Sequence, residues 1–251
     1  SFDERFQGAN VVDAEKLSPY WGEHTARYSF ASQFVNDKCV LDIACGTGYG
    51  LIFLKERARQ VTGVDASFVA ASQAINESNG KAAVVNGNGR CLPFDDEIFD
   101  VVTSFETLEH VMERSDFLAE LKRVLRKGGY LILSTPNARF TEPVDGVPRN
   151  PFHLFEYTAE ELRSELMEHF ELEKLMGQEL NDRFGIPPFY DAQIKLPNDI
   201  VTQTRLIGWK IINKLPIFLR EGLSGLLWNR PFYPTDEDYV FDVGSTETAP
   251  V

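Results

Sequence analysis

A glycine-rich segment at positions 40–50, VLDIACGTGYG, follows a short apolar run and contains an acid ahead of its glycines. Gly46 and Gly48 would let the backbone turn sharply and approach a ligand without a Cβ in the way. The helix predicted after the bend would direct its free N–H groups at that ligand. Asp42 would repel a pyrophosphate at this place but would attract a positive amino group. The segment therefore predicts a site for a positively charged ligand.

A second carboxylate, Asp65, ends the next apolar run, QVTGVDA, and lies 17 residues after Gly48. A carboxylate in this place can accept hydrogen bonds from both hydroxyls of a ribose. The dinucleotide fingerprint G-x-G-x-x-G would need a third glycine at position 51, which is Leu51. These features favour S-adenosylmethionine, which joins an adenosine to a sulfonium and an amino acid tail, over NAD.

The elements that must position these residues alternate between strands and helices from Lys38 onward. The predicted strands are KCVLDIA, QVTGVDA, KAAVVNG, IFDVVTSFE and YLILSTP. The predicted helices between them are GYGLIFLKERA, SFVAASQAINESNG and RSDFLAELKRVLRKGG. Strands that are apolar throughout and separated by helices indicate a parallel sheet covered on both faces. The fold class is therefore predicted as doubly wound α/β.

After Pro136 the pattern changes to a long loop that contains three prolines, and such loops are commonly binding loops. A helix follows, with Thr158 and Glu161 fitting a capping box. FELEKLMGQ is predicted as a sixth strand and YVFDVGS as a seventh. These elements divide the chain into three predicted parts: a helical cover at 1–37, a core at 38–180 and 238–247, and a helical acceptor-binding insertion at 181–237.

The stretch from about 38 to 135 resembles the class I S-adenosylmethionine-dependent methyltransferases. The resemblance lies in four motifs, VLDIACGTGYG, VTGVDAS, NGNGRCLPFDDEIFDVVTSFETLEHV and LKRVLRKGGYLILSTPN. It implies S-adenosylmethionine as the cofactor. It also implies a Rossmann-like sheet of seven strands, with the last strand antiparallel and a helical insertion between strands six and seven.

The resemblance also implies which residues hold the cofactor. The methionine part would lie on the glycine bend, the ribose at the acid after the second strand, and the adenine at NGNGRCLPF, where many relatives have an acid in place of Asn88. An N-terminal helix would fold over the cofactor, where Arg27 would either pair with its carboxylate or be solvated at the surface. The expected cofactor-binding residues are Asp42, Ala44, Gly46, Gly48, Asp65, Ala66, Asn88, Gly89, Phe105, Arg27 and Tyr20.

Methyl transfer from a sulfonium is an in-line displacement, so the protein must align the reacting atoms and no metal is chemically required. A hydroxyl nucleophile benefits from a general base, and histidine suits that task near pH 7. His153, in the long loop, is the first candidate, with a packing role as the alternative. His110 and Glu109 follow the fourth strand and would either contact the acceptor or cap the next helix. Glu106 is a further carboxylate at this place.

The composition limits the partners. A net charge of -13 disfavours binding to nucleic acid. The three cysteines form no metal-binding spacing and are typical of a cytosolic protein, and the polar N-terminal residues do not resemble a secretion signal. Residues 201–233 hold five basic residues and one acid among many apolar ones. This segment would form a cap over the acceptor pocket, contact an anionic membrane at the inner surface, or hold a lipid-linked acceptor.

Residues 201–233 also resemble the tails of methyltransferases found with polysaccharide and glycolipid assembly, whose acceptors are sugar hydroxyls. This resemblance implies O-methylation of a sugar hydroxyl on a saccharide, nucleotide sugar or glycolipid. An alternative is O- or C-methylation of a small aromatic, quinone or polyketide, since Phe140, Phe152, Phe155 and Tyr157 would suit a flat acceptor. A further alternative is an NAD-dependent sugar oxidoreductase. The acceptor atom and the oligomeric state stay open at this point.

Overall fold

The computed structural model describes residues 21–181, 198–212, 214–228 and 231–244 of the 251-residue chain. A five-stranded parallel sheet forms its centre, with the strand order β3-β2-β1-β4-β5. The strands are β1 (Cys39–Ile43), β2 (Gln60–Asp65), β3 (Ala83–Asn86), β4 (Phe99–Phe105) and β5 (Leu125–Ser134). The doubly wound α/β class predicted from the alternation of elements is confirmed.

Helices cover both faces of the sheet. They are α1 (Trp21–Ala31), α2 (Tyr49–Lys55), α3 (Phe68–Glu77), α4 (Arg114–Val124), α5 (Ala138–Thr141) and α6 (Ala159–His169). Neighbouring residues of one strand enter opposite cores: Val40 packs with Tyr28 of α1 and Leu54 of α2, whereas Leu41 packs with Leu118 of α4 and Leu166 of α6. This alternation follows from the two-residue period of a strand and explains why the strands are apolar throughout.

The strand order places the candidate residues at one edge. β1 pairs with β2 on one side and with β4 on the other. The chain therefore adds β2 and β3 on one side of β1 and then crosses over to add β4 and β5 on the other side, which makes a topological switch point between β1 and β4. In an open parallel sheet, ligands bind in the crevice beyond the carboxyl ends of the strands at such a point. The glycine bend follows β1, and a short 3-10 helix, Leu108–His110, follows β4. Both therefore lie at the edge where a ligand is expected.

The last two strands differ from the prediction of a single seven-stranded sheet. β6 (Gly177–Leu180) and β7 (Tyr239–Asp242) form an antiparallel pair, and within the described residues this pair is a separate sheet. The pair is anchored on α1, because Gln178 Nε2 donates to the Glu23 carbonyl at 2.9 Å and the Phe241 ring lies 4.9 Å from the Phe30 ring. The predicted sixth strand also began too early, at Phe170, since the strand starts at Gly177.

The described part of the predicted insertion is helical. It contains α7 (Ile200–Ile212), α8 (Ile217–Trp228) and a 3-10 helix, Asp236–Asp238. The side chains of Trp209 and Trp228 lie outside the described residues, as do residues 1–20 with Tyr20. Among the helices described, none has the length and apolar character needed to cross a bilayer. The three predicted domain boundaries stay predictions.

Candidate active site

The bend after β1 contains three residues with positive φ, and its two glycines have different surroundings. The φ angles are 56° at Ala44, 56° at Gly46 and 89° at Gly48. A Cβ at Gly48 would lie 2.8 Å from the Cβ of Ala74, so this glycine lets α3 pack closely against the bend. A Cβ at Gly46 would meet no described atom within 4 Å. Gly46 therefore faces open space, and a ligand can approach its backbone.

The third glycine of the motif, Gly50, has a packing role. A Cβ at this position would lie 2.0 Å from Cζ of Tyr28, whose ring comes from α1. Tyr28 also packs edge-to-face on Phe105 at the end of β4, with ring centroids 4.9 Å apart. Gly50, which lies one residue before the third glycine position of a dinucleotide fingerprint, thus makes room for α1, the helix that covers the site.

Asp42 lies beneath this cover and is fully buried. Thr103 Oγ1 donates to its Oδ1 at 2.6 Å, and the Tyr28 hydroxyl donates to its Oδ2 at 3.1 Å. Burial raises the pKa of Asp42 to about 7 although these two hydrogen bonds lower it, and Asp65 adds a smaller upward shift. A positive group next to Asp42 would favour its ionised form. Both carboxylate oxygens already accept from hydroxyl groups, those of Thr103 and Tyr28.

Asp65 joins the bend to the end of β2. Its Oδ2 accepts from the backbone N–H of Gly46 at 2.9 Å, and its Oδ1 accepts from the N–H of Ser67 at 2.8 Å. Ala66, between them, is exposed. Each carboxylate oxygen has a further lone pair for a ligand hydroxyl. The carboxylate is therefore held in a fixed orientation at the site by backbone groups.

The predicted adenine position lies in a turn after β3. Asn88 is exposed, and its Oδ1 accepts from the N–H of Arg90 at 3.0 Å. A Cβ at Gly89 would lie 2.6 Å from the Phe117 ring, so this glycine is required by packing whatever it binds. The side-chain amide of Asn88 is at the surface of the turn, where it can meet a ligand.

The cover helix α1 brings a buried cation to the site. Arg27 is 2% exposed, which excludes the alternative of a solvated surface residue. Its Nη2 lies 2.7 Å from Oε1 of Glu23 and 3.7 Å from Oε1 of Glu106, which follows β4. Burial, with a smaller contribution from Arg27, lowers the pKa of His24 to about 3, so this histidine is neutral. Two carboxylates thus already neutralise Arg27.

Glu109 follows β4 and is fully buried. Thr135 Oγ1, just after β5, donates to its Oε2 at 2.9 Å. Its Oε1 has no hydrogen-bond donor among the described residues. Burial raises the pKa of Glu109 well above its usual value, and the negative charge of Glu106 adds to the rise. This carboxyl group resembles the buried acids found at functional sites more than a helix cap.

His110 and His153 face each other beside Glu109, with ring centroids 5.0 Å apart. His110 Nδ1 lies 2.9 Å from the carbonyl of Phe152. His153 Nδ1 lies 2.6 Å from Oε1 of Glu156, and its Nε2 lies 3.0 Å from the amide nitrogen of Asn150. The three residues predicted for catalysis are therefore close together, although they come from two separate segments.

The site thus has two halves. We call Asp42, the bend 44–48 and Asp65 the donor half, after the methyl donor expected there, and we call Glu109, His110 and His153 the acceptor half. Supporting residues were not predicted: Tyr28 and Thr103 at Asp42, Thr135 at Glu109, and Glu156 at His153. Only the spacing of three between His153 and Glu156 could have suggested one of these pairs. Cys45, in the bend, is buried, and burial followed by the charge of Asp42 raises the pKa of its thiol.

Comparisons with known proteins identify similar methyltransferases. Residues 41–133 match the family model described as a methyltransferase domain. A probable S-adenosylmethionine-dependent methyltransferase of Mycolicibacterium smegmatis is 35% identical over 173 residues, which are 68% of this chain and 66% of that protein. The demethylmenaquinone methyltransferase of Thermobifida fusca is 32% identical over 149 residues, 58% of this chain and 62% of its own. The chain spans 59% to 66% of the length of the first curated relatives it matches.

A crystal structure of a candidate methyltransferase from Bacillus halodurans superposes with a TM-score of 0.54 at 21% identity, covering 80% of this chain and 90% of that one. This likeness shows a Rossmann-like methyltransferase fold. Residues 41–133 are accordingly a methyltransferase domain, and over about two thirds of its length the chain is similar to S-adenosylmethionine-dependent methyltransferases. S-adenosylmethionine, predicted from the glycine bend and its acids, is the cofactor for which these relatives are named.

Proposed function

We propose that this protein transfers the methyl group of S-adenosylmethionine to a hydroxyl oxygen of a small-molecule or glycan acceptor. The donor half would hold the cofactor and the acceptor half would hold the oxygen that attacks the methyl carbon. In-line displacement then needs the two halves to align oxygen, carbon and sulfur at short range. Glu109, His110 and His153 are the groups of the described chain that we assign to the acceptor.

The observation that carries this proposal is the open backbone at Gly46 next to the fixed carboxylate of Asp65. Two hydroxyls around this place, Thr47 Oγ1 in the bend and Ser104 Oγ in β4, are buried and have no partner within the described part of the chain. Ser104 is the register partner of Ile43, the last residue of β1. Buried polar groups normally have partners, so these hydroxyls fit a polar ligand at the switch point.

His153 is the residue best arranged to take a proton from the acceptor. The carboxylate of Glu156 accepts at the Nδ1 contact, so Nδ1 carries the hydrogen. Nε2 is then the accepting nitrogen, and an acceptor hydroxyl would have to displace the Asn150 amide nitrogen, which lies 3.0 Å from it. A base whose second nitrogen is oriented by a carboxylate is a common arrangement in general-base catalysis. Its distance of three residues from Glu156 places both groups on one turn of the loop.

A titration with S-adenosylmethionine followed by calorimetry tests the donor half. Asp65→Ala should weaken the binding by about a hundredfold or more, because it removes a ribose acceptor and releases Gly46 N–H. Asp95→Ala, at an exposed acid, is the matched control and should bind like the parent protein. NAD should not bind to any of these proteins. Equal affinity of the Asp65→Ala and Asp95→Ala proteins would contradict the assignment.

Among acceptors, we propose a sugar hydroxyl, as expected from the resemblance of the C-terminal segment to methyltransferases of glycan and glycolipid assembly. α7 and α8 support a lipid-linked acceptor or a peripheral membrane contact on the cytoplasmic side. Ile211 is 62% exposed, Phe218 is 70% exposed and Leu226 is 82% exposed, and the segment carries a positive net charge. Exposed apolar side chains in a segment of positive net charge can bind at an anionic lipid surface.

A quinone or phenol is the second candidate, favoured by the relative that is named for demethylmenaquinone. Transfer of a labelled methyl group to matched panels of glycosides, glycolipids and hydroquinones separates these acceptors. Labelling of the saccharide panel alone would support the sugar hydroxyl. Labelling of the hydroquinones alone would replace it with an aromatic acceptor.

A further inference from the structure

Glu109, His110 and His153 each offer one ligand atom, and these three atoms lie within 4.8 Å of one another. The backbone fixes this arrangement, since the N–H of Leu154 donates to the carbonyl of Glu109 at 2.8 Å. The N–H of Phe155 reaches the same carbonyl at 3.3 Å. The long loop is therefore attached to the segment after β4 at the residue that carries the carboxylate.

Hydrogen bonds on the far side of each ring set the histidine tautomers. The carbonyl of Phe152 can only accept, so His110 Nδ1 carries a hydrogen and Nε2 keeps its lone pair. The contact with Glu156 sets the same tautomer at His153. Glu156 is itself buried and accepts from Thr141 Oγ1. Histidines that bind a metal nearly always donate their other ring N–H to a carbonyl or carboxylate, as both rings do here.

Glu109 supplies the anionic group. Its side chain is 1% exposed, and Oε1 lies 3.8 Å from Nε2 of His110 without a hydrogen-bond donor in the described ranges. A buried carboxylate oxygen with no donor is costly, and a cation at this place would remove that cost. The partnerless oxygen is on the side of the carboxylate that faces the histidine, whereas the other oxygen is held by Thr135.

We propose that Glu109, His110 and His153 bind one divalent transition-metal ion, and that its open coordination positions take the hydroxyl of the acceptor. Two imidazoles and one carboxylate suit Mn²⁺, Fe²⁺, Co²⁺ or Zn²⁺ better than Mg²⁺ or Ca²⁺. Ligand atoms about 2.1 Å from a tetrahedral ion lie about 3.4 Å apart, so atoms that are now up to 4.8 Å apart must approach by as much as about 1.4 Å. Binding would also need Nε2 of His153 to leave the amide nitrogen of Asn150, which lies 3.0 Å away. This inference rests on the methyl transfer proposed above, replaces the general-base role proposed there for His153, and departs from the expectation that the site needs no metal.

The metal would supply what a general base supplies otherwise. A hydroxyl bound to the ion releases its proton to solvent more readily, because the positive charge stabilises the alkoxide. The oxygen then forms a bond to the methyl carbon, the carbon–sulfur bond breaks, and its electron pair stays on the sulfur of S-adenosylhomocysteine. A nitrogen that holds the ion cannot accept a proton, so the metal site and a general base at His153 exclude each other.

Calorimetric titration of the untagged, chelator-treated chain with Mn²⁺ tests the site, together with elemental analysis of the protein as purified. We expect about one Mn²⁺ per chain, and a loss of affinity of at least about tenfold in His110→Ala and in Glu109→Gln. His169→Ala is the matched control, because this histidine lies at the end of α6 beside Ser115 Oγ and outside the cluster. His110 is half-exposed, so its replacement should leave the fold intact.

Mn²⁺ binding that is absent from the parent chain, or equal in His110→Ala and the parent, would overturn the inference. Affinity for S-adenosylmethionine, measured on the same proteins, keeps this failure distinct from failure of the proposed function. Methyl transfer that continues unchanged in excess chelator would show that no metal takes part, and His153 would then be kept as the proposed general base. Loss of transfer in chelator with full recovery on addition of Mn²⁺ would support the metal.

Discussion

The donor half and the acceptor half of the site are built by different means. In the donor half, backbone groups of a short segment are set by positive φ angles and tied to Asp65. In the acceptor half, side chains from segments well apart in the chain meet, as Thr135 and Glu109 do across 26 residues. The bend of the donor half depends on a few glycines in fixed spacing, although Asp42 beneath it is held by Thr103 and Tyr28 from other elements. The acceptor half depends on tertiary contacts throughout. A site of the first kind leaves a clear pattern in the sequence, and one of the second kind does not.

The largest effect that would test this comparison concerns Asp42, the one fully buried carboxylate of the donor half. Its pKa rises from 3.8 to about 7, so the folded state holds a proton that the unfolded state has lost. The corresponding contribution to the free energy of unfolding is fully present below pH 4 and is lost as the pH rises to about 7. The loss amounts to roughly 4 kcal/mol at most. Urea denaturation between pH 4 and pH 8 measures it.

Asp42→Asn is the control for this titration, because the amide has nearly the same shape and no proton to lose. Glu109 and Glu23 also have raised pKa values and keep titrating in both proteins. The difference in unfolding free energy between the parent and Asp42→Asn should therefore change with pH in the stated window. A difference that stays constant from pH 4 to pH 8 would mean that Asp42 is ionised throughout.

Gly46 and Gly48 provide the next test. Alanine at Gly48 should mainly lower stability, whereas alanine at Gly46 should mainly prevent cofactor binding. Gly48→Ala combines a positive φ with a Cβ that would overlap Ala74, so we expect a loss of about 3 kcal/mol of stability. Gly46→Ala has only the positive φ, so its loss should be about 1 kcal/mol. Its added methyl group would instead occupy the ligand's space and abolish binding of S-adenosylmethionine.

Thermal denaturation and calorimetry of the two variants give these quantities side by side. The expectation fails if Gly46→Ala binds the cofactor normally, because Gly46 would then not face the ligand. It also fails if both variants lose the same stability, since only Gly48 contacts α3.

The five-stranded sheet and the donor half could be predicted because each depends on local patterns. Apolar runs of strand length and the spacing of Gly46 and Gly48 were enough for these parts. The separate β6–β7 pair could not be predicted, since it is determined by Gln178 and Phe241 contacting α1 rather than by the strand sequences. His153, His110 and Glu109 were recognised as candidates by residue type. Their hydrogen-bond partners depend on how the long loop folds back, which no periodicity in the sequence encodes.

The smallest effect concerns Thr135, which supports the acceptor half alone. Thr135→Val keeps the shape of the side chain but removes the hydroxyl that donates to Oε2 of Glu109 at 2.9 Å. Since Oε1 already has no donor among the described residues, neither carboxylate oxygen would then accept from a side chain. We expect a loss of about 1–2 kcal/mol of stability and a lower rate of methyl transfer, because Glu109 is no longer oriented. Affinity for S-adenosylmethionine should stay the same, and Thr135→Ser should restore the rate. A fall in cofactor affinity in Thr135→Val would show instead that the two halves are coupled, and the distinction between a backbone-built donor half and a side-chain-built acceptor half would then fail.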